Sequence, residues 1–223
     1  MKIVNINGRK FEYEDISSRF PQTGPINKKD ALKLMTIISE VFEKYGIFFM
    51  PMWGTLLGII RNGDFIDHDD DIDLLMLHED ENKLYDALVE LKERGVFLCK
   101  QYKGQIYTVV SSEGIHCDID VLRKAHFPYN LAYCVVLEKY RPKRLFGKYK
   151  KIDFKGLKIS VPENSDDFLT YFYGKSWRVP QKGVRGRNFP KWMIVEDFLL
   201  KVRRKIRWII QKKIGIHIDD YMD

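Results

Sequence analysis

Apolar residues recur along this chain with two different spacings, and the switches between them lay out its elements. Over residues 28–45, Leu32, Met35, Ile38, Val41, Phe42 and Tyr45 share one face of a 3.6-residue helix. Asn27 stands where a side-chain cap is needed and Gly46 where a helix stops. Residues 79–94 repeat the pattern with Leu84, Leu88 and Leu91 and stop at Gly95. Residues 47–50 predict a strand, residues 55–61 a short helix with Gly54 as the tight turn before it, and residues 71–76 the start of a buried strand. Alternation around Asn7-Gly8 predicts an N-terminal hairpin. Further strands are expected over 96–100, 105–111, 114–122, 148–154 and 157–161, and a helix over 166–173 ended by Gly174. Residues 15–25 read as loop, and residues 124–143 mix aromatic and basic side chains with little period. The order of elements implies an α+β chain, a mixed β-sheet flanked by helices.

Charge interrupts this pattern in one place. Asp67, Asp69, Asp70, Asp71 and Asp73 fall within seven residues. Like charges at that density repel and resist burial, so the run suggests a cation. Side chains two apart on a strand share a face, which puts Asp71 and Asp73 together with Ile72 and Leu74 opposite. Carboxylate oxygens at the start of a strand suit hard cations such as Mg²⁺. For Asp67 and Asp69 a solvated acidic turn is an equal alternative. A second strand, 114–122, carries Asp118 and Asp120 on one face, with His116 beside them as a polar neighbour. Asp118 is the first candidate for a third carboxylate that completes a metal site or accepts a proton. Asp120 is the second, against a reading as an exposed edge-strand residue. Before the acidic run, Gly54 and Thr55 open a helix whose N-terminal N–H groups and Thr hydroxyl suit a phosphate, and Arg61 could add a cation.

Composition changes the picture only at the ends. The 223 residues carry a formal charge of +7 although the central motif is acidic, so the positive charge lies elsewhere. Much of it is in residues 192–213, read as a helix with Phe198, Val202, Ile206, Ile209 and Ile210 in a stripe and Lys201, Arg203, Arg204, Lys205, Arg207, Lys212 and Lys213 off it. A basic amphipathic helix with Trp208 at its polar face fits a peripheral contact with an anionic membrane surface. A solvated helix packed on the domain, or capture of an acidic partner, fits as well. Three widely spaced cysteines, Cys99, Cys117 and Cys134, match neither a disulfide framework nor a zinc pattern and suit a reducing compartment. No apolar leader opens the chain and no apolar run approaches the roughly 20 residues of a spanning helix. The expected location is cytoplasmic, with peripheral attachment to the inner face of the membrane as an option.

The string Trp53-Gly54-Thr55-Leu56-Leu57-Gly58, Arg61, Phe65-Ile66, Asp69-Asp70-Asp71-Ile72-Asp73 resembles the LicD family of the nucleotidyltransferase, or polymerase-beta-like, superfamily. Val161-Pro162, then Tyr173-Gly174 and Trp177 before Pro180, is similar to that family's second landmark. The chain departs from the pattern at Asp67 and His68, where the family usually has Pro and Trp. The resemblance implies a catalytic domain over 27–189, with 1–26 as lead-in and 190–223 as a basic tail. It implies Mg²⁺ (or Mn²⁺) on Asp71, Asp73 and Asp118, a donor phosphate near Gly54, Thr55 and Arg61, and catalytic roles for Asp71, Asp73, Asp118 and Asp120. Asp70, His68, Tyr173 and Trp177 are further candidates. The implied reaction moves a phospho-alcohol such as phosphocholine from a CDP-linked donor to a glycan or glycolipid hydroxyl and releases CMP. Two other readings stay open: nucleotidyl transfer from an NTP to a small molecule or RNA, and a non-catalytic binding domain. Retained carboxylates speak against the last, and no base-stacking module supports nucleic acid as a partner.

Overall fold

A computed structural model describes residues 1–16, 19–20, 24–125, 127, 129–137, 139–180 and 202. The reading of 190–223 as a basic helical tail therefore lies outside the described residues, Val202 apart. The chain opens with a hairpin of β1 (Lys2–Ile6) and β2 (Arg9–Tyr13), closed by Asn7 at φ 47° and Gly8 at φ 84°. Both central turn residues have positive φ, the geometry that matches the twist of the flanking strands and favours Asn-Gly. Helix α1 (Lys28–Tyr45) begins where the Asn27 side chain accepts from Lys29 and Asp30 N–H, and ends at Gly46 in the left-handed region. Then follow β3 (Phe49–Pro51), α2 (Trp53–Asn62), β4 (Ile72–Leu77), a 3₁₀ turn (His78–Asp80) and α3 (Glu81–Glu93). Next come β5 (Val96–Tyr102), β6 (Ile106–Ser111) and β7 (His116–Lys124). Residues 129–146, in the stretch without period, form two 3₁₀ turns around a short hairpin, β8 (Tyr133–Val136) and β9 (Lys139–Pro142). β10 (Tyr149–Phe154) pairs with β11 (Leu157–Pro162), and α4 (Ser165–Tyr173) closes the described fold.

The main sheet runs β3-β4-β7-β6-β5, with β8 and β9 continuing from β7. Among the described strands only β4 and β7 pair in parallel, in a register that sets Asp73 opposite Asp118 and Leu75 opposite Asp120. One face of this pair, Ile72, Leu74 and Met76 with Cys117, Ile119 and Val121, is buried in the core with α1's Leu34, Ile38 and Phe42 and α3's Leu84 and Leu91. Each carboxylate of the pair thus points to the other face. The N-terminal hairpin is no separate unit in packing terms: Val4, Ile6 and Phe11 join the same core. No described helix is long and apolar enough to cross a membrane.

Beyond the C-terminal ends of β4 and β7 lies a buried ionic knot. Glu81 is 9% exposed and accepts from Tyr107 Oη at 2.6 Å and from Arg123 Nη2 at 3.0 Å. Its Oε2 is also 2.6 Å from His78 Nδ1, and Arg123 reaches on to the carbonyl of Gly104 at 2.7 Å. These contacts tie the start of α3 to β6, to β7 and to the β5–β6 turn.

Candidate functional site

The site forms where β3 hands over to α2 beside the parallel strand pair. Pro51 is the last β3 residue in register, opposite Leu74. Met52 N–H still donates to Asp73 O at 2.9 Å, but the chain then turns away and leaves Asp73 N–H without a strand partner. Thr55 Oγ1 takes that bond at 2.9 Å, as a buried N–H requires. Thr55 is 1% exposed, so its hydroxyl faces β4 rather than a ligand. The turn itself is made by Trp53, at φ 40°, a conformation a bulky residue adopts only when its surroundings hold it there. Gly54 is not the turn. It lies in the first turn of α2, where the Asp69 carboxylate approaches so closely that a Cβ would force it to move.

The carboxylates converge where β4 begins beside β7, with Asp71 in the bend just before Ile72 rather than in the strand expected from residue 71. Oxygen atoms of Asp71, Asp73 and Asp118 lie within 4.8 Å of one another, and those of Asp69, Asp70 and Asp71 form a second such group that shares Asp71. All three of the first group are partly exposed. Thr108, directly opposite Asp118 on β6, donates its hydroxyl to Asp118 Oδ1 at 2.6 Å. Asp120 is different. It is 3% exposed on an interior strand, not an exposed edge residue, and its Oδ2 accepts from Trp53 Nε1 at 2.8 Å. The Trp53 ring meets Phe172 of α4 edge-on at 5.1 Å. Arg141 on β9, also buried, places its guanidinium carbon 5.7 Å from the centroid of the same Phe172 ring.

Burial, then the negative neighbours Asp71, Asp120, Asp118 and Asp69, holds the Asp73 carboxyl well above the usual carboxylate range. Burial and Asp70 push Asp69 up to about 6. The donor set, three carboxylates in mutual reach with no basic side chain among them, fits a hard divalent cation.

This arrangement coincides with a family match: residues 46–164, just over half of the chain, match the LicD/FKTN/FKRP nucleotidyltransferase domain. The chain belongs to the LicD family. As a LicD-family protein it is a transferase with the mixed α+β fold of nucleotidyltransferases. Among curated relatives it is similar to the uncharacterized protein RP689 of Rickettsia prowazekii, 25% identical over 92% of this chain and 76% of that one. The uncharacterized protein RT0683 of Rickettsia typhi is 32% identical over 39% of this chain and 29% of that protein. Among solved structures, the lincomycin-bound lincosamide antibiotic adenylyltransferase LnuA aligns at TM-score 0.45 and 12% identity, over 65% of this chain and 85% of that one. A putative nucleotidyltransferase from Thermotoga maritima aligns at TM-score 0.43 and 12% identity, over 84% and 97%. At those scores neither carries chemistry to this chain.

The LicD domain does not bring every sequence candidate together. Arg61 sits in the last turn of α2 and bonds Asn62. Eight residues of helical rise, about 12 Å, separate it from the Trp53 end. Asp67 and His68 are exposed, and Asp67 pairs with Lys28. Tyr173 packs at the margin of the core, and Trp177 is buried in it beneath the Arg178 guanidinium at 4.3 Å. His116 is buried, its Nε2 2.6 Å from Phe20 O, a polar neighbour as expected. The residues that sequence reading missed are Trp53, Thr108 and Phe172. Trp53 stood inside the motif, but its tie to Asp120 spans 67 positions, and Thr108 depends on the β6–β7 register.

The raised carboxyls make the metal-free protein sensitive to pH. A carboxyl held above its ordinary value binds its proton more tightly in the folded chain than in the unfolded one. Its contribution to stability is therefore full below the unfolded value of 3.8 and is lost as pH rises through about 6 for Asp69, with Asp73, also held well above 3.8, acting in the same direction. Carboxylates paired with lysine, such as Asp64 and Glu113, have lowered values and act below that window. In EDTA the melting temperature is expected to fall from about pH 4.5 to about pH 7, and millimolar Mg²⁺ at pH 7 should restore much of the loss. A flat profile in EDTA would contradict this account of the cluster.

Proposed function

We propose that this LicD-family transferase moves a phospho-alcohol, phosphocholine or a related group, from a CDP-linked donor to a hydroxyl of a cell-surface glycan. The observation that carries the proposal is the meeting of Asp71, Asp73 and Asp118 within 4.8 Å at the N-terminal end of α2. The acceptor oxygen attacks the phosphorus next to the alcohol. The bond from that phosphorus to the bridging oxygen breaks, CMP leaves with that oxygen, and the acceptor proton passes to a carboxylate and then to water.

Asp71, Asp73 and Asp118 would hold a divalent cation, Mg²⁺ or Mn²⁺, and Asp69, Asp70 and Asp71 form a second group of oxygens within reach of one another that could hold another. Such a cation, when bound, neutralises charge on the donor phosphates and on the leaving oxygen. The first intrahelical bond of α2 runs from Leu56 N–H to Met52 O, so the N–H groups of Trp53, Gly54 and Thr55 precede the ladder at the positive end of the helix. These backbone groups, rather than Arg61 or the Thr55 hydroxyl, face the donor phosphate in this reading. Asp118, oriented by Thr108, accepts the proton from the acceptor. Asp120 holds Trp53 in place as one wall of the site.

The test is nucleotide release from purified protein with Mg²⁺ and an acceptor extract. CDP-choline, CDP-ethanolamine, CDP-glycerol, CDP-ribitol and the four NTPs are offered, with Asp71→Asn as control. CMP from one CDP donor, absent in EDTA and in the variant, is the expected result. Pyrophosphate from an NTP would replace the proposal with nucleotidyl transfer.

A further inference from the structure

Five described residues other than glycine have a positive φ. Asn7, Lys103, Leu137 and Lys155 sit in the turns of β1–β2, β5–β6, β8–β9 and β10–β11, where such a backbone is ordinary. Trp53, at φ 40°, is the exception among the described residues, because it opens a helix. A left-handed backbone crowds a bulky side chain and persists only where outside contacts enforce it.

Those contacts come from two remote elements. On β7, 67 positions along the chain, the Asp120 carboxylate accepts from the Trp53 indole Nε1 at 2.8 Å. On α4, the Phe172 ring meets the indole edge-on, with centroids 5.1 Å apart. Asp120 is itself fixed: it is buried, and it lies in register between Leu75 of β4 and Ile106 of β6.

We infer that Asp120 is a positioning residue: by holding the Trp53 indole it maintains the strained turn, and the turn aims the first N–H groups of α2 at the donor phosphate. The inference rests on the reading that a donor phosphate meets the start of α2. Met52 N–H still bonds Asp73 O, in line with the β3–β4 pairing, and at the next residue the chain has entered α2. Met52 is extended, at φ −126° and ψ 175°, so the change of direction falls on Trp53. Its side chain caps none of the N–H groups that follow. Thr55 is tied separately, its hydroxyl accepting from Asp73 N–H, so the peptide groups that depend on Asp120 are those of Trp53 and Gly54. This role needs an acceptor oxygen at the indole and not a charge. In that it differs from the roles of Asp71, Asp73 and Asp118, whose oxygens meet within 4.8 Å.

The experiment compares Asp120→Asn, which keeps an acceptor oxygen, with Asp120→Ala, which removes it. Two quantities are read: the affinity for CDP in millimolar Mg²⁺ by calorimetry, and the backbone carbon chemical shifts of Trp53 without nucleotide, which report its φ. Asp120→Asn should keep the left-handed shifts and a CDP affinity near that of the wild type. Asp120→Ala should lose those shifts and bind CDP about tenfold more weakly, the scale of one lost hydrogen bond to a charged group. Mg²⁺ affinity should be the same in both, because Asp71, Asp73 and Asp118 are untouched. Trp53→Phe lacks the indole N–H, leaves Asp120 in place and should reproduce both effects of Asp120→Ala. Left-handed shifts kept by Asp120→Ala or Trp53→Phe would overturn the inference, as would full CDP affinity after the shifts are lost. An Asp120→Asn as weak as Asp120→Ala, or one that loses Mg²⁺, would overturn it too and make the charge of Asp120 part of the metal site. A wild type that binds no CDP would instead count against the proposed donor, and the carbon shifts would still decide whether Asp120 sets the turn.

Discussion

Replacing Asp73 by Asn is expected to abolish transfer while making the metal-free protein more stable. The two effects have one cause. Asp73 is held among Asp71, Asp120, Asp118 and Asp69, and its charge is costly in that place unless a cation offsets it. Removing the charge relieves the repulsion, so the melting temperature in EDTA should rise, by about 2–4 °C for each kcal/mol regained in a chain of this size. The backbone N–H that bonds Thr55 is unaffected by the substitution, so the turn into α2 should survive. The same change takes one oxygen ligand from the candidate cation. A bound cation supplies several kcal/mol to phosphoryl transfer, so the rate should fall at least about a thousandfold. Mg²⁺ should raise the melting temperature of the wild type and leave that of Asp73→Asn nearly unchanged. A variant less stable than the wild type in EDTA would show that Asp73 is a structural acceptor. A variant that keeps its activity would move the site elsewhere.

Replacing Arg123 by Ala should produce a large loss of stability with the candidate site itself intact. Arg123 neutralises Glu81, which is almost wholly buried and has Tyr107 and His78 as its other partners. Breaking a buried pair from one side leaves a charge without compensation, at a cost of about 3–5 kcal/mol. That corresponds to a fall of about 6–20 °C in melting temperature. The carbonyl of Gly104 loses its donor as well, which loosens the β5–β6 turn. Removing both ends of the pair is a different matter. Glu81→Leu with Arg123→Met should recover part of the loss, because two apolar groups of similar volume leave no buried charge. Denaturant melts of the four proteins would decide it. A single variant within 1 kcal/mol of wild type, on the scale of ordinary surface substitutions, would mean that water already screens the knot.

Local chemistry was enough for much of the fold. Asn27 and Gly46 mark both ends of α1, and Asn7-Gly8 marks the first hairpin, because a cap or a tight turn is decided by a few adjacent residues. The same holds for β10 and β11 around Lys155-Gly156, and for Gly174 after α4. Reading failed where the deciding contact is remote. Residues 124–143 have little period because β8 and β9 form a short hairpin whose faces divide between the main core and the tyrosine cluster. Gly54 looks like a turn residue in sequence, yet its constraint comes from Asp69, fifteen positions later.

The sequence by itself determined that Asp118 and Asp120 share a face, since both lie within β7 and the two-residue period of a strand admits nothing else; Asp71 reads in sequence as part of the next strand, but β4 begins one residue later, at Ile72. The sequence also carried the family motif. Only the tertiary structure decided which of these carboxylates meet. The parallel β4–β7 register aligns Asp73 with Asp118, forty-five positions away, and a shift of one residue would have turned Asp118 into the core. Packing of α2 and α4 then gave Asp120 to Trp53, turned the Thr55 hydroxyl inward and left Arg61 at the far end of its helix. Period sets a side chain's direction along its own strand. Its neighbours are set by pairing between strands, which no local stretch of chain encodes.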